Sequence, residues 1–228
     1  GDIDLYIAKC RLGVESQTDP RRIHPLFVNE GRGNYTEMAE AYGLKFGYQA
    51  WTSDFQDIDN DGDLDCFITN HDYSVQLLEN DGTGHFTDIS EAAGLNFSGF
   101  ILQGIMRDFD NDGFVDILTT GVEKYFHNNG DKTFTEVSSP FGAAAIKSAA
   151  VGDLNHDGFL DVYATYHNSY NTPSGISDEL WLNNGNDKHY LVITLKGKTA
   201  NINGIGAKLE LYGPWGIQTR EVRSGEIY

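Results

Sequence analysis

The chain alternates short apolar segments with clusters of Gly, Asn and Asp, and it contains no apolar run of 18 residues. One stretch shows the pattern clearly and predicts four consecutive short strands, at residues 49–55, 64–69, 75–78 and 85–89. The composition agrees, because 26 Gly, 13 Phe and 12 Tyr beside only 2 Met are typical of short strands joined by tight turns. An all-β fold is therefore predicted, with no transmembrane helix in this stretch and any signal peptide expected to lie upstream.

A nine-residue acidic pattern occurs three times, beginning at residues 57, 108 and 153. Each copy has Asp at positions 1, 5 and 9, Asp or Asn at position 3, and Gly at position 6. The opening segment, residues 1–4, matches the last four positions of the pattern, so we expect the sequence to start inside a further copy. An Asn-x-Gly turn follows each copy, at residues 29–31, 80–82, 128–130 and 183–185. Turns of this type are strong signals for β-hairpins.

Repeats of four antiparallel strands, spaced about 45 to 50 residues apart, predict the blades of a β-propeller. The predicted blades occupy residues 1–186, with bounds near 1–44 (partial), 45–95, 96–142 and 143–186. In this arrangement the acidic loop joins the first two strands of each blade. Residues 187–228 form a separate small β segment of two or three strands, with a hairpin at 213–216. A β-sandwich is the structural alternative, but it does not require equivalent loops at equal spacing.

The acidic loops predict calcium sites. Five carboxylates within residues 57–65 would repel one another by a few kcal/mol per close pair at a surface-like dielectric (about 20). Oxygen ligands at alternating positions, with a Gly for a sharp turn, suit Ca²⁺, whereas the lack of a recurring thiolate or imidazole disfavours zinc and copper. The predicted ligands are the side chains at positions 1, 3, 5 and 9 and the backbone carbonyl at position 7. These are Asp57, Asp59, Asp61, Asp63 and Asp65; Asp108, Asp110, Asp112, Phe114 and Asp116; and Asp153, Asn155, Asp157, Phe159 and Asp161.

Three complete calcium sites are thus predicted, with a fourth, partial site at Asp4 and weaker binding where Asn155 replaces an acid. An EF-hand would need Glu at position 12, where this chain has Ile68, Thr119 and Ala164. Simple Asx-turns explain one or two of the Asp residues but not three copies of the spacing. The calcium is expected to be structural and to contribute roughly 1.4 kcal/mol per site when it is present at ten times the dissociation constant.

The loops and turns of residues 1–186 resemble the FG-GAP or VCBS repeat of integrin-α-like, seven-bladed propellers. That resemblance implies the same calcium ligands, an extracellular location and a part in adhesion or ligand binding. Residues 190–195, 203–211 and 218–225 resemble an ASPIC/UnbV segment, here truncated. Such segments follow VCBS repeats in a family of secreted proteins that includes cartilage acidic protein and bacterial relatives.

Charge limits the partners. The chain has 34 Asp and Glu against 16 Lys and Arg, and its net charge of −18 argues against nucleic acid or an anionic membrane surface. The leading interpretation is a secreted or cell-surface calcium-binding module for adhesion to a protein or glycan. Two alternatives stay open: a structural subunit of an extracellular filament that assembles with its own copies, and a calcium-dependent polysaccharide-active enzyme. No Ser-His-Asp order, Cys-His pair or phosphate loop stands out, so no enzyme is predicted.

Two insertions between second and third strands are predicted opposite the acidic loops and are candidates for ligand contact. They are residues 9–25, with Arg11, Arg21, Arg22 and His24, and residues 167–179, with Tyr170 and Asn171. The seven histidines share no ligand spacing and are predicted in turns or on the surface: His24, His71, His85, His127, His156, His167 and His189. Cys10 and Cys66 are predicted to be free, buried thiols. Asn34 and Asn96 begin N-glycosylation sequons.

Overall fold

The computed structural model describes residues 3–142, 144–169, 172–199 and 201–224. All regular structure in these residues is β, and none of their segments is a helix that could cross a membrane. The strands are β1 (Leu5–Tyr6), β2 (Leu26–Gly31), β3 (Asn34–Glu37), β4 (Ala50–Gln56), β5 (Asp65–Asn70), β6 (Gln76–Asn80), β7 (Phe86–Asp88), β8 (Gly104–Arg107), β9 (Asp116–Thr119), β10 (Lys124–Asn128), β11 (Phe134–Val137), β12 (Ser148–Gly152), β13 (Asp161–Thr165), β14 (His167–Ser169), β15 (Thr172–Pro173), β16 (Glu179–Trp181), β17 (Lys208–Gly213) and β18 (Gly216–Glu221).

The strands form four successive antiparallel sheets. Their orders are β1-β2-β3, β4-β5-β6-β7, β8-β9-β10-β11 and β12-β13-β16, and two further hairpins, β14-β15 and β17-β18, stand apart. The all-β prediction of four-stranded antiparallel blades is confirmed. In the second sheet the four strands agree with the predicted ones to within two residues at either end.

Three apolar clusters lie between successive sheets. The middle cluster joins the second and third sheets through fully buried side chains such as Phe67 and Ile117, and equivalent clusters join the first sheet to the second and the third to the fourth. Strand β5 is buried along its whole length because both of its faces are covered. Face-to-face stacking of small sheets is how propeller blades bury an apolar core.

The outer faces of the array are apolar but uncovered. Tyr163 and Leu180, on the fourth sheet, are 43% and 50% exposed, although they occupy the positions of Phe67 and Leu77, which are fully buried in the second sheet. At the other end, Leu5 is 52% exposed at the position where Cys66 is buried. Both end faces thus have the composition of an interior blade face.

The C-terminal segment contains two strands, in agreement with the predicted two or three. β17 pairs with β18 in the predicted hairpin, and Gly213 lies opposite Gly216. Residues 190–195 form no ladder, and Val192 is 72% exposed. The ring of Tyr190 lies over Gly158 in the third acidic loop.

The insertion at residues 9–25 is fixed by buried polar groups. Arg22 is 2% exposed; its guanidinium forms an ion pair with Asp72 and donates to the carbonyls of Val14 (3.2 Å) and Glu15 (2.9 Å). The ligand-contact prediction for Arg22 is therefore wrong, because its charge is neutralised inside the protein.

His24 is fully buried as well, with its ring nitrogens 3.1 Å from the Tyr6 hydroxyl and 3.0 Å from the Tyr48 carbonyl. Its surface and ligand-contact predictions are wrong, because the ring is buried and both of its nitrogens have partners inside the protein. Arg11 and Arg21 are exposed. The predicted contacts Tyr170 and Asn171 lie outside the described residues.

The two thiols have different surroundings. Cys66 is free and fully buried, as predicted. Cys10 is free but exposed, so its predicted burial is wrong: it lies at the start of the 9–25 insertion, and its Sγ lies 3.5 Å from Nε2 of His71.

In the third and fourth blades, one Asn side chain ties the blade to the blade before it. In the third blade, Asn128 donates from Nδ2 to the Val115 carbonyl (3.0 Å) and to the Ile58 carbonyl of the second blade (2.9 Å). In the fourth blade, Asn183 makes the same bond to the Phe109 carbonyl of the third blade (2.8 Å). Each amide belongs to an Asn-x-Gly turn, so the turn that closes one blade also fastens it to the blade before.

We expect Asn128→Ala to destabilise the chain by about 2 to 3 kcal/mol, because Asn128 is 1% exposed and its loss leaves buried carbonyls unsatisfied. Asn129→Ala, next to it on the surface, should cost about 0.5 kcal/mol or less. Urea unfolding measures both. Equal effects of the two substitutions would contradict the tie between the blades.

Candidate cation-binding loops

The last Asp of each acidic loop anchors the loop to its blade. In the first complete loop, Asp65 accepts hydrogen bonds from the backbone N–H groups of Ile58 (3.0 Å) and Asn80 (2.9 Å). Asp116 and Asp161 accept the equivalent pairs of bonds in the second and third loops. All three carboxylates are at most 1% exposed. Position 9 therefore joins the start of the loop to the Asn-x-Gly turn of the same blade.

Asp4 occupies the same place in the first blade. Its Oδ1 accepts from the N–H of Asn29 at 2.7 Å, and Nδ2 of Asn29 donates to the Ile3 carbonyl at 3.2 Å. The bond from Asn80 to the Leu64 carbonyl in the second blade is equivalent. Asp4 thus lies at position 9 of the pattern, as the alignment of the repeats predicts.

Positions 1, 3 and 5 come together at the mouth of each loop. Carboxylate oxygens of Asp57, Asp59 and Asp61 lie within 4.8 Å of one another, and those of Asp108, Asp110 and Asp112 do the same. In each loop the position 1 carboxylate also accepts from the N–H of the Gly at position 6, at 3.2, 2.9 and 3.0 Å in chain order.

The backbone of the loop turns sharply to bring these oxygens together. Residues at positions 4 and 6 have positive φ, for example 61° at Asn60 and 100° at Gly62. Asn and Gly tolerate this left-handed region, which explains their place in the pattern.

The third loop is built differently at its mouth. Asn155 donates from Nδ2 to Oδ2 of Asp157 at 2.8 Å, while its Oδ1 accepts from the N–H of the same residue at 3.0 Å. The amide thus replaces a repulsion between two carboxylates with a hydrogen bond. This loop is also more exposed than the other two. Asp153 and Asp161 lie at positions 1 and 9, equivalent to Asp57 and Asp65.

The residue at position 7 has a second role, in addition to the predicted ligation through its backbone carbonyl. Its side chain covers the Gly of the neighbouring Asn-x-Gly turn in every blade with a complete loop. A Cβ at Gly130 would lie 3.0 Å from the ring of Phe114, and one at Gly185 would lie 3.1 Å from the ring of Phe159. In the first complete loop Asp63 takes this place, 3.4 Å from a Cβ at Gly82.

Three buried side-chain oxygens of the first complete loop lack a hydrogen-bond partner: Oδ1 of Asp57, Oδ1 of Asn60 and Oδ1 of Asp63. A buried carboxylate oxygen without a partner costs free energy unless a donor or a cation satisfies it. The loop therefore fits a hard cation that takes oxygen ligands.

The carboxyl groups are strained electrostatically as well. Burial raises the pKa of Asp65 to about 8, and burial followed by the charges of Asp61, Asp59 and Asp57 raises the pKa of Asp63 to about 6. Burial likewise raises the pKa of Asp108 in the second loop to about 6. The ionised loops are therefore costly without a compensating positive charge.

Ammonium groups supply part of that charge, each from a residue shortly after the Asn-x-Gly turn of the following blade. Nζ of Lys132 lies 2.7 Å from Oδ2 of Asp59 and also contacts Glu79. Nζ of Lys188 lies 3.0 Å from Oδ2 of Asp110 and 3.7 Å from Asp112. Both lysines follow an Asn-x-Gly turn, so each turn places an ammonium group beside the acidic loop of the previous blade. Sequence reasoning missed these two residues, although their offset from the turn is similar.

His127, predicted on the surface or in a turn, lies beside the second acidic loop. Its ring is half-buried, with Nδ1 3.3 Å from Asp116 and 3.9 Å from Asp110. Together with these two carboxylates it forms a group that could hold a metal. The sequence contains one sign of this role: His127 directly precedes Asn128, and the equivalent residue before Asn80 in the preceding repeat is the acid Glu79.

The C-terminal segment lies over the same loops. The N–H of Ile217 donates to the Asn60 carbonyl (2.9 Å), and Nζ of Lys208 donates to the Gly62 carbonyl (2.7 Å). In the second loop, Nε2 of Gln218 donates to the Gly113 carbonyl (3.2 Å). Beneath the hairpin, Arg223 pairs with the buried Asp54 at 3.1 Å. The segment therefore packs on the acidic loops and restricts access to them.

Comparison with known proteins agrees with this architecture. A family model described as FG-GAP-like repeat matches residues 57–119 and 120–164, which include all three complete loops. The chain is thus an array of β-propeller-like blades that contains FG-GAP-like repeats. The match does not extend to residues 187–228, whose resemblance to an ASPIC/UnbV segment stays a prediction.

No curated protein matches the chain. Among solved structures, one described as the basis of specific recognition of non-reducing terminal N-acetylglucosamine by an Agrocybe aegerita lectin is similar, at 19% identity and a TM-score of 0.46. The similarity covers 73% of this chain and 45% of that one. The chain therefore spans less than half the length of that structure.

We expect the free energy of unfolding of the cation-free chain to fall as the pH rises from about 4 to about 8. The pKa values of Asp63, Asp65 and Asp108 are higher in the folded chain than the unfolded value of about 3.9. The folded state therefore binds more protons than the unfolded state across this range. Urea unfolding in the presence of EGTA measures this. A free energy that rises with pH would contradict the burial of these carboxyl groups.

Proposed function

We propose that the chain is an extracellular β-propeller module that binds Ca²⁺ in its acidic loops and presents a surface to a protein or glycan partner. The observation that supports it best is the buried, unpartnered oxygens on Asp57 and Asp63, beside the unpartnered Oδ1 of Asn60. In the same loop, carboxylate oxygens of Asp57, Asp59 and Asp61 lie within 4.8 Å of one another. FG-GAP-like repeats, which are typical of extracellular proteins, support the location. The proposal assigns no catalysis.

Calcium suits the loops better than other cations do. Ca²⁺ accepts six to eight oxygens in a flexible shell, whereas Mg²⁺ demands a near-ideal octahedron and keeps much of its water. At the ligand positions 1, 3, 5 and 9, the first and third loops have only Asp or Asn, whose side chains ligate through oxygen. In the second loop His127 lies beside the carboxylates, so this loop has the least selective donor set.

The bound cation would supply positive charge, and the positions of its ligands at the ends of two strands would make its role structural. Asp57 and Asp65 lie at the two ends of the first complete loop, where β4 ends and β5 begins. A cation held between them would fix the first hairpin of the blade and remove the cost of burying ionised carboxylates. The same holds for β8 with β9 and for β12 with β13.

We expect millimolar calcium to raise the melting temperature, and EGTA to reverse the change. Asp61→Asn should remove about 1.4 kcal/mol of the calcium-dependent stability, because the amide keeps the bond from the Asp63 N–H (3.1 Å) but loses the charge. The matched control is Asp187→Asn, an exposed acid outside the loops, which should leave the calcium response unchanged. Differential scanning calorimetry measures all three proteins. A melting temperature that is insensitive to calcium would refute the proposal.

A second candidate function is head-to-tail assembly with further copies of the chain. In the interior, the Phe67 side of one sheet packs against the next sheet, and the exposed Tyr163 and Leu180 occupy the same side of the fourth sheet. The first sheet exposes Leu5 on the opposite, complementary side. Joining the two faces between copies would repeat an interior blade contact, and such a heterologous contact can extend indefinitely unless it closes into a ring.

We expect the chain to form oligomers whose mass rises with concentration, and Leu180→Glu to shift them to monomers. Burying the new charge in an apolar face would cost several kcal/mol, roughly enough to abolish a weak interface. The control is Leu12→Glu, at a residue 95% exposed in the 9–25 insertion. Light scattering after size exclusion measures the mass. A monomer at all concentrations would exclude this second candidate and leave the calcium proposal intact.

A further inference from the structure

The end of the blades opposite the acidic loops has an aromatic stack that ends in solvent. The rings of Tyr48 and Tyr73 lie parallel, with centroids 3.9 Å apart and an interplanar angle of 3°. Phe46 continues the stack on the inner side, 6.2 Å from Tyr48. Tyr73 is 45% exposed, so the described contacts cover one face of its ring and leave area open.

The turn that presents Tyr73 is held rigidly. Asp72, the preceding residue, accepts from the N–H of Gln49 at 2.6 Å and forms the ion pair with buried Arg22. On the other side, Nδ2 of Asn70 donates to the Ser74 carbonyl at 2.8 Å. A flat ring fixed before binding loses little conformational entropy when a ligand stacks on it.

Tyr73 borders a cleft of about 770 Å³ with mostly polar walls. Its lining includes Ser74, Asp88, Ser90, Glu91 and Asn96, with Val75 among its apolar residues. The volume falls in the range of small-molecule sites, which extends from about 300 to about 1,000 Å³.

The polar groups of the cleft divide into fixed and free ones. Asp88 is fixed, because it accepts from Nε2 of Gln76 (3.2 Å) and from the N–H of Ser90 (3.0 Å). Glu91 and Asn96 are exposed and lie on the loop from β7 to β8, which buried Leu95 anchors. Carboxylate oxygens accept hydrogen bonds, and the amide of Asn96 both donates and accepts.

We propose that this cleft binds a neutral saccharide, with a pyranose ring stacked on the open face of Tyr73. The face of an aromatic ring is electron-rich and attracts the C–H groups of a sugar, while the hydroxyls of the sugar can donate to Glu91 and exchange hydrogen bonds with Asn96. The acidic groups, Asp88 and Glu91, disfavour sulfated or uronic acid sugars by like-charge repulsion. This inference rests on the proposed binding function and names its ligand class.

The test applies the full chain to an array of neutral and sulfated oligosaccharides, followed by calorimetric titration of the neutral sugar that binds best. Tyr73→Ala should weaken binding by at least about tenfold, since it removes the stacking surface. Tyr73→Phe should retain binding because it keeps the ring. The matched control is Tyr35→Ala, which removes a tyrosine of similar exposure (50%) on β3 and should bind like the parent.

A second variant tests the cleft without changing Tyr73, so that its result does not depend on whether Tyr73→Ala folds. Glu91→Ala changes an exposed side chain and should lower affinity several-fold, with an unchanged melting temperature. Absence of binding to every neutral sugar, preference for sulfated sugars, or equal affinity of the parent and Tyr73→Ala would overturn the inference. The calcium response of the same samples separates the two proposals, because loss of sugar binding beside an intact calcium response refutes only this one.

Discussion

The architecture depends on one hydrogen bond that is repeated in every blade and protected from solvent in the three complete loops: the carboxylate at position 9 accepts the N–H of the Asn that begins the Asn-x-Gly turn. Asp65, Asp116 and Asp161 make this contact in the complete loops, and Asp4 makes it in the first blade. In the third and fourth blades the same Asn, Asn128 or Asn183, also donates its side-chain amide to the preceding blade. There one residue pair connects the acidic loop, the outer hairpin and the neighbouring sheet. These hydrogen bonds fix the acidic loop, the hairpin and the sheet of a blade relative to one another, and the apolar clusters fill the space between successive sheets.

The frame concentrates negative charge at one end of the molecule, and the chain offsets it in three ways. Lysines from the next blade pair with Asp59 and Asp110, an amide replaces an acid in the third loop, and the C-terminal hairpin places donors on loop carbonyls. None of these satisfies the buried oxygens of Asp57 and Asp63. A divalent cation is the simplest group that would satisfy them. The calcium proposal therefore concerns the end of the blades with the acidic loops, and the saccharide proposal concerns the opposite end.

The sequence predicted features that local spacing and turn chemistry determine, and missed features that depend on contacts between strands or blades. The blades, the position of Asp4 and the β17-β18 hairpin follow from spacing and turn chemistry, which act locally. His127, Lys132 and Lys188 reach the loops through contacts between strands or blades, and a single sequence gives no distance across them. The burial of Arg22 and His24 depends on how one insertion folds back on the second blade, and the irregular path near Tyr190 depends on the glycine beneath its ring. Tertiary packing decides such features and leaves no periodic signal.

Equilibrium dialysis of the chelator-treated chain against radioactive calcium tests the central claim most directly. Three complete loops predict saturation near three ions per chain, with the third loop filling last because Asn155 lowers its charge. Retention of no calcium at millimolar concentration by a folded chain would contradict the account.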